Sequence, residues 1–156
     1  MIHDKKGKPR EVLLEGERVF SLKFSNGREK VIYKMGASED DSFTEEETRL
    51  FIAGERDAKK GFKSPAATIG GAVVGLAAGS VGTMLSLIPP FAYSGIMLIP
   101  KVKVKRKTVS NENYLKQDAY LLGYERVARK NKSINSFKSG LAGVAVGLLI
   151  NQLVFK

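Results

Sequence analysis

Two runs of β-prone residues flank the dipeptide Asn26-Gly27 near the amino end of the chain. The hydrophobic positions that recur within these runs are Val19, Leu22, Phe24, Val31 and Tyr33. Asn-Gly between such runs is typical of a β-hairpin closed by a type I′ turn, because that turn needs positive φ at two successive residues. We therefore predict a β-hairpin element over residues 1–42, with a third strand at 11–14 and an acidic loop at 36–42.

Over residues 43–63 the hydrophobic residues recur at helical intervals instead. Thr44 and Glu47 have the spacing of a capping box, in which each side chain bonds the backbone N–H of the other residue. The segment begins with acidic and ends with basic side chains, which suits the helix dipole. We predict an amphipathic helix, with an apolar face made of Leu50, Phe51, Ala58 and Phe62.

The hydrophobic pattern then becomes continuous, and residues 66–100 contain no charged side chain. As one straight helix this stretch would span about 52 Å, against roughly 30 Å of hydrocarbon in a bilayer. The sequence predicts a transmembrane helix over about 66–88, ended by Pro89-Pro90, within a first apolar segment of residues 64–100. The alternative is a re-entrant hairpin with the two prolines at its turn.

A basic loop, residues 101–138, separates this segment from a second apolar helix over residues 139–156. Within the loop we predict a helix over about 112–130, with Ser110 as its N-cap. The uncharged stretch that begins at residue 139 reaches the lower limit of length for a spanning helix. The predicted fold class is an α+β membrane protein. It has a small antiparallel β-hairpin element plus a helix, then two glycine-rich transmembrane helices joined by a basic helical loop.

Glycine recurs every fourth residue in both apolar segments, which places it on one face of each helix. In lipid, helices attract each other where small residues let their backbones approach closely. In water, each such glycine would weaken the helix by about 0.8–1 kcal/mol relative to alanine. The pattern favours lipid over a buried soluble hairpin, and it leaves open whether the two faces contact each other or neighbouring chains. The predicted packing residues are Gly71, Gly75, Gly79, Gly143, Gly147 and Asn151.

The formal net charge of +10 is concentrated in the loop, because residues 1–64 carry only +1 and residues 101–138 carry +8. A basic cluster beside an apolar segment attracts anionic lipid headgroups, by about 1 kcal/mol per charge. It is also the ordinary positive-inside signal of membrane topology, the interpretation that we favour. Nucleic acid is a weaker explanation, since no groove-reading motif or aromatic platform accompanies the charge. The residues are Lys101, Lys103, Lys105, Arg106 and Lys107.

Residue types that carry enzyme chemistry are scarce. The chain has no cysteine and its only histidine is His3, so thiolate sites, Ser-His-Asp triads and two-histidine metal sites are not expected. Carboxylates cluster as neighbours at residues 39–41 and 45–47, which is typical of a solvated acidic surface. The glycine tract lacks the pattern of a phosphate-binding loop. We expect no enzyme activity, catalytic residue, metal site, cofactor or small-molecule substrate.

The order of several stretches resembles a group of small envelope proteins common in Bacteroidota. The stretches are FSNGREKVIY, GERDAKKGF, an apolar segment ending in LIPP, and YLKQDAYLLGYERVARKNK. Elements that recur in the group correspond to the Gly-Glu-x-Asp-Ala stretch at 54–58 and to Gly123-Tyr124. The resemblance covers roughly residues 20–155. It implies a β-rich extracytoplasmic part and two apolar segments, and it brings no catalytic residues. Many members begin with a signal peptide, and the charged first residues here do not form one.

These patterns predict a structural role, as an accessory or scaffold subunit of a bacterial envelope assembly that packs through its glycine faces. The expected partners are membrane lipids and other membrane protein subunits or a second copy of the chain. The expected location is a bacterial membrane, with the inner membrane favoured over the outer. The favoured topology is a hairpin of two crossings with the basic loop on the cytoplasmic side. Alternatives are a pore-forming or bilayer-remodelling protein and a basic soluble nucleic-acid-binding protein.

Overall fold

The computed structural model describes residues 2–3, 9–10, 19–34 and 43–154. The chain divides into two compact units, Met1–Glu46 and Glu47–Lys156. The described part is mostly helical, with short antiparallel strand pairs only near the amino end. The third strand and the acidic loop predicted from the sequence lie outside the described residues.

The described residues of the first unit form two antiparallel strand pairs. Strand β1 (Ile2–His3) pairs with β2 (Pro9–Arg10), and β3 (Ser21–Lys23) pairs with β4 (Glu29–Val31). In the second pair Leu22 lies opposite Lys30. This second pair is the hairpin that the sequence predicted.

The loop of that hairpin differs from the type I′ turn that we predicted. The N–H of Gly27 donates to the carbonyl oxygen of Phe24 at 3.0 Å, and the N–H of Phe24 donates to that of Arg28 at 2.8 Å. Gly27 has φ +81°, whereas no other kind of residue in the described ranges has positive φ. The loop therefore has three residues, with glycine in the left-handed region that other residues avoid.

In the described part of the chain four α-helices follow, and the first of them begins directly after Thr44, as predicted. They are α1 (Glu45–Gly61), α2 (Pro65–Ser80), α3 (Ile88–Ile96) and α4 (Asp118–Val154). Short 3-10 helices lie at Met84–Leu87, Arg106–Thr108 and Glu112–Lys116.

The single helix predicted over residues 66–88 is wrong, because the first apolar segment is divided into two helices. α2 ends at Ser80, and Gly82 turns the chain with φ +71° before a 3-10 helix leads into α3. Pro89 and Pro90 do not break a helix but occupy the first turn of α3. A missing N–H is tolerated there, since the first N–H groups of a helix have no intrahelical partner.

α4 is one continuous helix of 37 residues, about 55 Å long. This corrects the two separate helices predicted over residues 112–130 and 139–156. Residues 124–139 contain neither glycine nor proline, so no helix breaker separates the charged first half of α4 from its uncharged second half.

The predicted start of the loop helix is also corrected. Ser110 is not an N-cap; the side chain of Asn111 accepts the N–H of Asn113 at 3.0 Å, at the start of a 3-10 helix. Ser110 instead contacts Asp57 of α1. A polar residue suited to capping is here used for a contact between distant parts of the chain.

α2 and α4 lie side by side and run in the same direction. Gly71 lies against Ser136, and further along both helices Gly79 lies against Val144. Two successive membrane crossings joined by a loop would run in opposite directions. α2 and α4 are therefore not arranged as the antiparallel pair that the predicted hairpin of two crossings requires.

α3 returns along α4 in the opposite direction. The Phe91 ring packs edge-on against Phe137, with centroids 6.1 Å apart. One turn later, Ser94 accepts a hydrogen bond of 2.8 Å from the hydroxyl of Ser133, which comes before Phe137 in α4. The first apolar segment is therefore a helical hairpin, which turns just after α2 rather than at the prolines.

The main hydrophobic core lies where α1 crosses the first half of α4. The helices approach closely because the crossing residues are Gly54 and Gly123; a Cβ at Gly54 would lie 2.9 Å from the backbone nitrogen of Tyr124. Leu50 and Phe62 of the predicted apolar face pack against this core. The buried core residues are Ala58, Tyr120, Tyr124, Val127 and Ala128.

Candidate functional site: an apolar helical unit beside a basic segment

The structure brings the glycines of the two apolar segments into one interface between α2 and α4. A Cβ at Gly75 would lie 2.9 Å from the Cα of Gly140, and a Cβ at Gly79 would lie 3.0 Å from that of Gly147. These separations are shorter than side chains tolerate, so the backbones are in direct contact. The residues at the interface are Gly71, Gly75, Gly79, Gly140, Gly143 and Gly147.

Asn151, the sixth predicted packing residue, lies at the far end of the same interface. Its amide donates a hydrogen bond of 2.7 Å to the carbonyl oxygen of Ser80, at the last residue of α2. Its side chain also lies against Gly82 in the turn of the helical hairpin. The predicted packing residues thus hold the helices of one chain together, and a partner would have to contact other surfaces.

The outer surface of these helices is apolar. We call residues 65–96, which hold α2, the turn after it and α3, together with residues 139–154 of α4, the apolar unit; none of its residues is charged. Its exposed side chains include Ile69 at 65%, Leu85 at 68% and Leu153 at 82% of full exposure. Others on the same surface are Val73, Leu76, Phe91, Ile96, Leu149 and Ile150.

Within the described part of the chain, one helix is long and apolar enough to cross a membrane, namely Asp118–Val154. A core helix of a soluble protein can have the same length and apolar composition. The most apolar 18 residues of such a core helix would be mostly buried, whereas in this helix only 22% of that stretch is buried. α2 and the region of α3 are apolar but shorter.

The basic segment, residues 101–107, lies against the hydrophobic core with alternate side chains. Val102 and Val104 pack against the core, and Lys101, Lys103 and Lys105 are exposed. Side chains of an extended chain point alternately to opposite sides, so the apolar residues fix the backbone and the lysines share one face.

A buried carboxylate on α1 holds the residues that follow the basic segment. The Oδ2 atom of Asp57 accepts three hydrogen bonds: 2.8 Å from the N–H of Ser110, 2.8 Å from its hydroxyl, and 2.7 Å from the hydroxyl of Tyr120. Asp57 retains 8% of its exposure. One side chain therefore links α1, α4 and the loop between the apolar segments.

These contacts set the charge state of Asp57. Burial by itself raises the pKa of its carboxyl group. The hydrogen bonds from Ser110 and Tyr120 and the charge of Lys60 lower this pKa by more than burial raises it, so it lies below its ordinary value. Hydrogen bonds donated to a carboxylate stabilise the charged form. Asp57 is thus held ionised in the folded protein.

A cavity of about 170 Å³ lies between the end of α1 and the basic segment. Lys63, Lys103 and Lys105 line it together with Thr108 and Tyr124. The Thr108 hydroxyl donates to the carbonyl oxygen of Lys105 at 2.7 Å, so the 2.7 Å contact between the two hydroxyls is donated by Tyr124. Among the residues that line the cavity, the three lysines are therefore the ones whose side-chain donors have no hydrogen-bond partner in the described part of the chain.

The structure thus separates the basic residues that the sequence grouped. Lys103 and Lys105 face the cavity, and Lys63, from before the apolar segment, joins them. Lys101, Arg106 and Lys107 are exposed and do not line the cavity. The sequence did not predict Asp57, although a carboxylate three residues after Gly54 and beside Ala58 on an apolar helix face is a signal.

No group of histidine, cysteine or carboxylate side chains in the described ranges could hold a metal ion. No family model, curated protein or solved structure matches this chain. The geometry of the site offers an apolar surface, a row of lysines on a packed backbone and a basic cavity.

Proposed function

We propose that this chain is a structural membrane protein, anchored by its apolar unit and acting as an accessory or scaffold subunit of a bacterial envelope membrane, with the inner membrane favoured. The observation that carries the proposal is the exposure of large apolar side chains on α2, α3 and the uncharged end of α4. Monomeric soluble proteins rarely expose a continuous apolar surface of this kind, which marks contact with a membrane or a protein.

The choice of lipid over a protein partner rests on how the exposed residues are distributed. They lie on every helix of the apolar unit and on the turn between α2 and α3, including Val81 and Leu85. Lipid surrounds a helical unit on all sides, whereas a protein partner covers one patch. Contact between helices through glycine also matches the way that helices pack in lipid.

The directions of the helices support insertion from one side. α2 has 16 residues and is about 24 Å long, and the uncharged end of α4 has the same length. Both are shorter than the roughly 30 Å of bilayer hydrocarbon. In this arrangement the helical hairpin enters and leaves on one side, so α1 and the basic segment share that side.

A charge placed at the tip of the apolar unit tests the anchoring. We expect Leu85→Lys to reduce several-fold the fraction of chain that stays with membranes during carbonate extraction. A lysine in hydrocarbon costs about 2.5–3.5 kcal/mol on insertion scales. Leu122→Lys is the matched control, because Leu122 is also half-exposed but lies on the charged half of α4. Release of the unmodified chain by carbonate would refute the proposal.

Single cysteines test insertion from one side, since the chain has none of its own. We expect Lys60→Cys and Lys107→Cys to react with an impermeant thiol reagent from the same side of sealed vesicles. Val81→Cys, in the turn after α2, should be protected until detergent is added. Labelling of Lys60→Cys and Lys107→Cys from opposite sides would contradict the arrangement and restore the two-crossing hairpin.

A further inference from the structure

We propose that the cavity between the end of α1 and the basic segment binds the phosphate of an anionic phospholipid headgroup. The inference rests on the membrane placement proposed above. It assigns a ligand to Lys63, Lys103 and Lys105, which an ordinary topology signal would leave without one.

The charge of the cavity selects an anion. Its lining includes three lysines and no acidic residue among the part of the chain that the structure describes. The C-terminal end of α1 adds roughly half a negative charge to this region. That partial charge helps to gather the lysines, but three ammonium groups outweigh it, so a strong positive potential remains for a ligand.

The backbone that carries Lys103 and Lys105 is held in position before any ligand arrives. Val102 and Val104 fix the backbone on either side of Lys103 by packing against the core. The Thr108 hydroxyl fixes the carbonyl group of Lys105. Preorganised donors lose less conformational entropy on binding, which distinguishes this cavity from a flexible basic tail.

The donors favour an acceptor without protons of its own. The Thr108 and Tyr124 hydroxyl groups are engaged with each other and with the backbone, which leaves the lysine ammonium groups to bind the ligand. A phosphate offers several acceptor oxygens, and charge-assisted hydrogen bonds to it are the strong kind. The volume of about 170 Å³ admits a phosphate with several waters, each of which occupies about 30 Å³ in the liquid.

The cavity also lies at the border of the apolar surface. Lys63 comes two residues before α2, and Lys103 comes four residues after Ile99, whose side chain is 74% exposed. Both segments that line the cavity, one before and one after the first apolar segment, are thus directly joined to uncharged sequence. If the apolar unit is in hydrocarbon, this border lies at the level of lipid phosphates.

The test compares two triple variants that remove the same charge from neighbouring positions. Lys63→Gln/Lys103→Gln/Lys105→Gln empties the cavity of ammonium groups, and Lys101→Gln/Arg106→Gln/Lys107→Gln is the control. Both are measured in phosphatidylcholine nanodiscs with and without phosphatidic acid, by photocrosslinking to a phosphatidic acid probe. We expect the cavity variant to lose at least about tenfold in apparent affinity, and the control less than about threefold.

Each other outcome overturns the proposal in a recognisable way. Equal losses in both variants mean general attraction of basic residues to an anionic surface. Competition by inorganic phosphate as strong as by phosphatidic acid means a site for free phosphate. Circular dichroism confirms folding, which exposed lysines should not disturb. Carbonate extraction of the cavity variant separates the two proposals. If this variant stays with membranes and crosslinks to phosphatidic acid as well as the unmodified chain does, the lipid site is refuted and the membrane anchoring still holds.

Discussion

Gly75→Ala will destabilise the packing of α2 against α4, although alanine is a better helix former than glycine. A Cβ at this position would lie 2.7 Å from the carbonyl carbon and 2.9 Å from the Cα of Gly140, and would overlap the carbonyl oxygen. The obstacle is backbone on a long helix and cannot rotate away as a side chain could. We expect a loss of about 1–3 kcal/mol, in the range for overpacked cores, and a larger loss for Gly75→Leu.

Gly95→Ala is the matched control, because it makes the same change in a helix of the same unit. Nothing lies within 4 Å of a Cβ at Gly95, so only helix propensity changes, in the stabilising direction by up to about 1 kcal/mol. The two variants should therefore shift the thermal unfolding midpoint in detergent in opposite directions. Midpoints that shift together for both variants would show that the glycine interface is not the contact described.

The second large effect is expected at Asp57. Asp57→Ala leaves the hydroxyl groups of Ser110 and Tyr120 and one backbone N–H without their shared acceptor. Hydrogen bonds to a charged group contribute about 1.5–3 kcal/mol each, and buried donors without partners add a penalty. We expect a loss of about 3 kcal/mol or more in denaturant unfolding. Faster tryptic cleavage at the basic segment should accompany it, because the link to α1 is gone.

Glu55→Ala provides the control on the same helix. Among the described residues Glu55 forms an ion pair with Arg126 alone, at 3.9 Å, and the Arg126 side chain is 73% exposed, so the pair should contribute less than about 1 kcal/mol. Tyr120→Phe should fall between the two variants, since it removes one of the three hydrogen bonds. If Asp57→Ala and Glu55→Ala reduced the free energy of unfolding by similar amounts, Asp57 would contribute no more to stability than a surface carboxylate.

The same contact predicts a dependence on pH. The pKa of Asp57 in the folded protein lies below its ordinary value of 3.8. A depressed pKa contributes stability that is present above the ordinary value and is lost as pH falls through the folded value. The stability difference between the unmodified chain and Asp57→Ala should therefore be constant near neutral pH and shrink below about pH 4. If the stability difference stayed constant down to the lowest pH measured, Asp57 would not be ionised in the folded protein at neutral pH.

Several elements were predictable because their signals are local. The capping-box pattern at Thr44 and the glycine in the hairpin loop concern groups within four residues, so neighbours in sequence are enough to recognise them. The absence of charged residues over 66–100 and the recurrence of glycine at every fourth residue can also be read from short stretches of sequence. From these the sequence established the hairpin, the start of α1, the apolar segments and the faces on which glycine lies.

The remaining features depend on contacts between residues far apart in the chain. Asp57 and Ser110 are 53 residues apart, and the cavity joins Lys63 to Lys103 from opposite ends of the first apolar segment. The same prolines can end a helix or begin one, and glycine spacing is the same whether two helices run parallel or antiparallel. In the tertiary structure the glycines of α2 lie against α4 with the two helices parallel, and α3 returns the chain along α4. Composition and periodicity thus set which surfaces are apolar, whereas close backbone contact set how the helices run and which lysines meet.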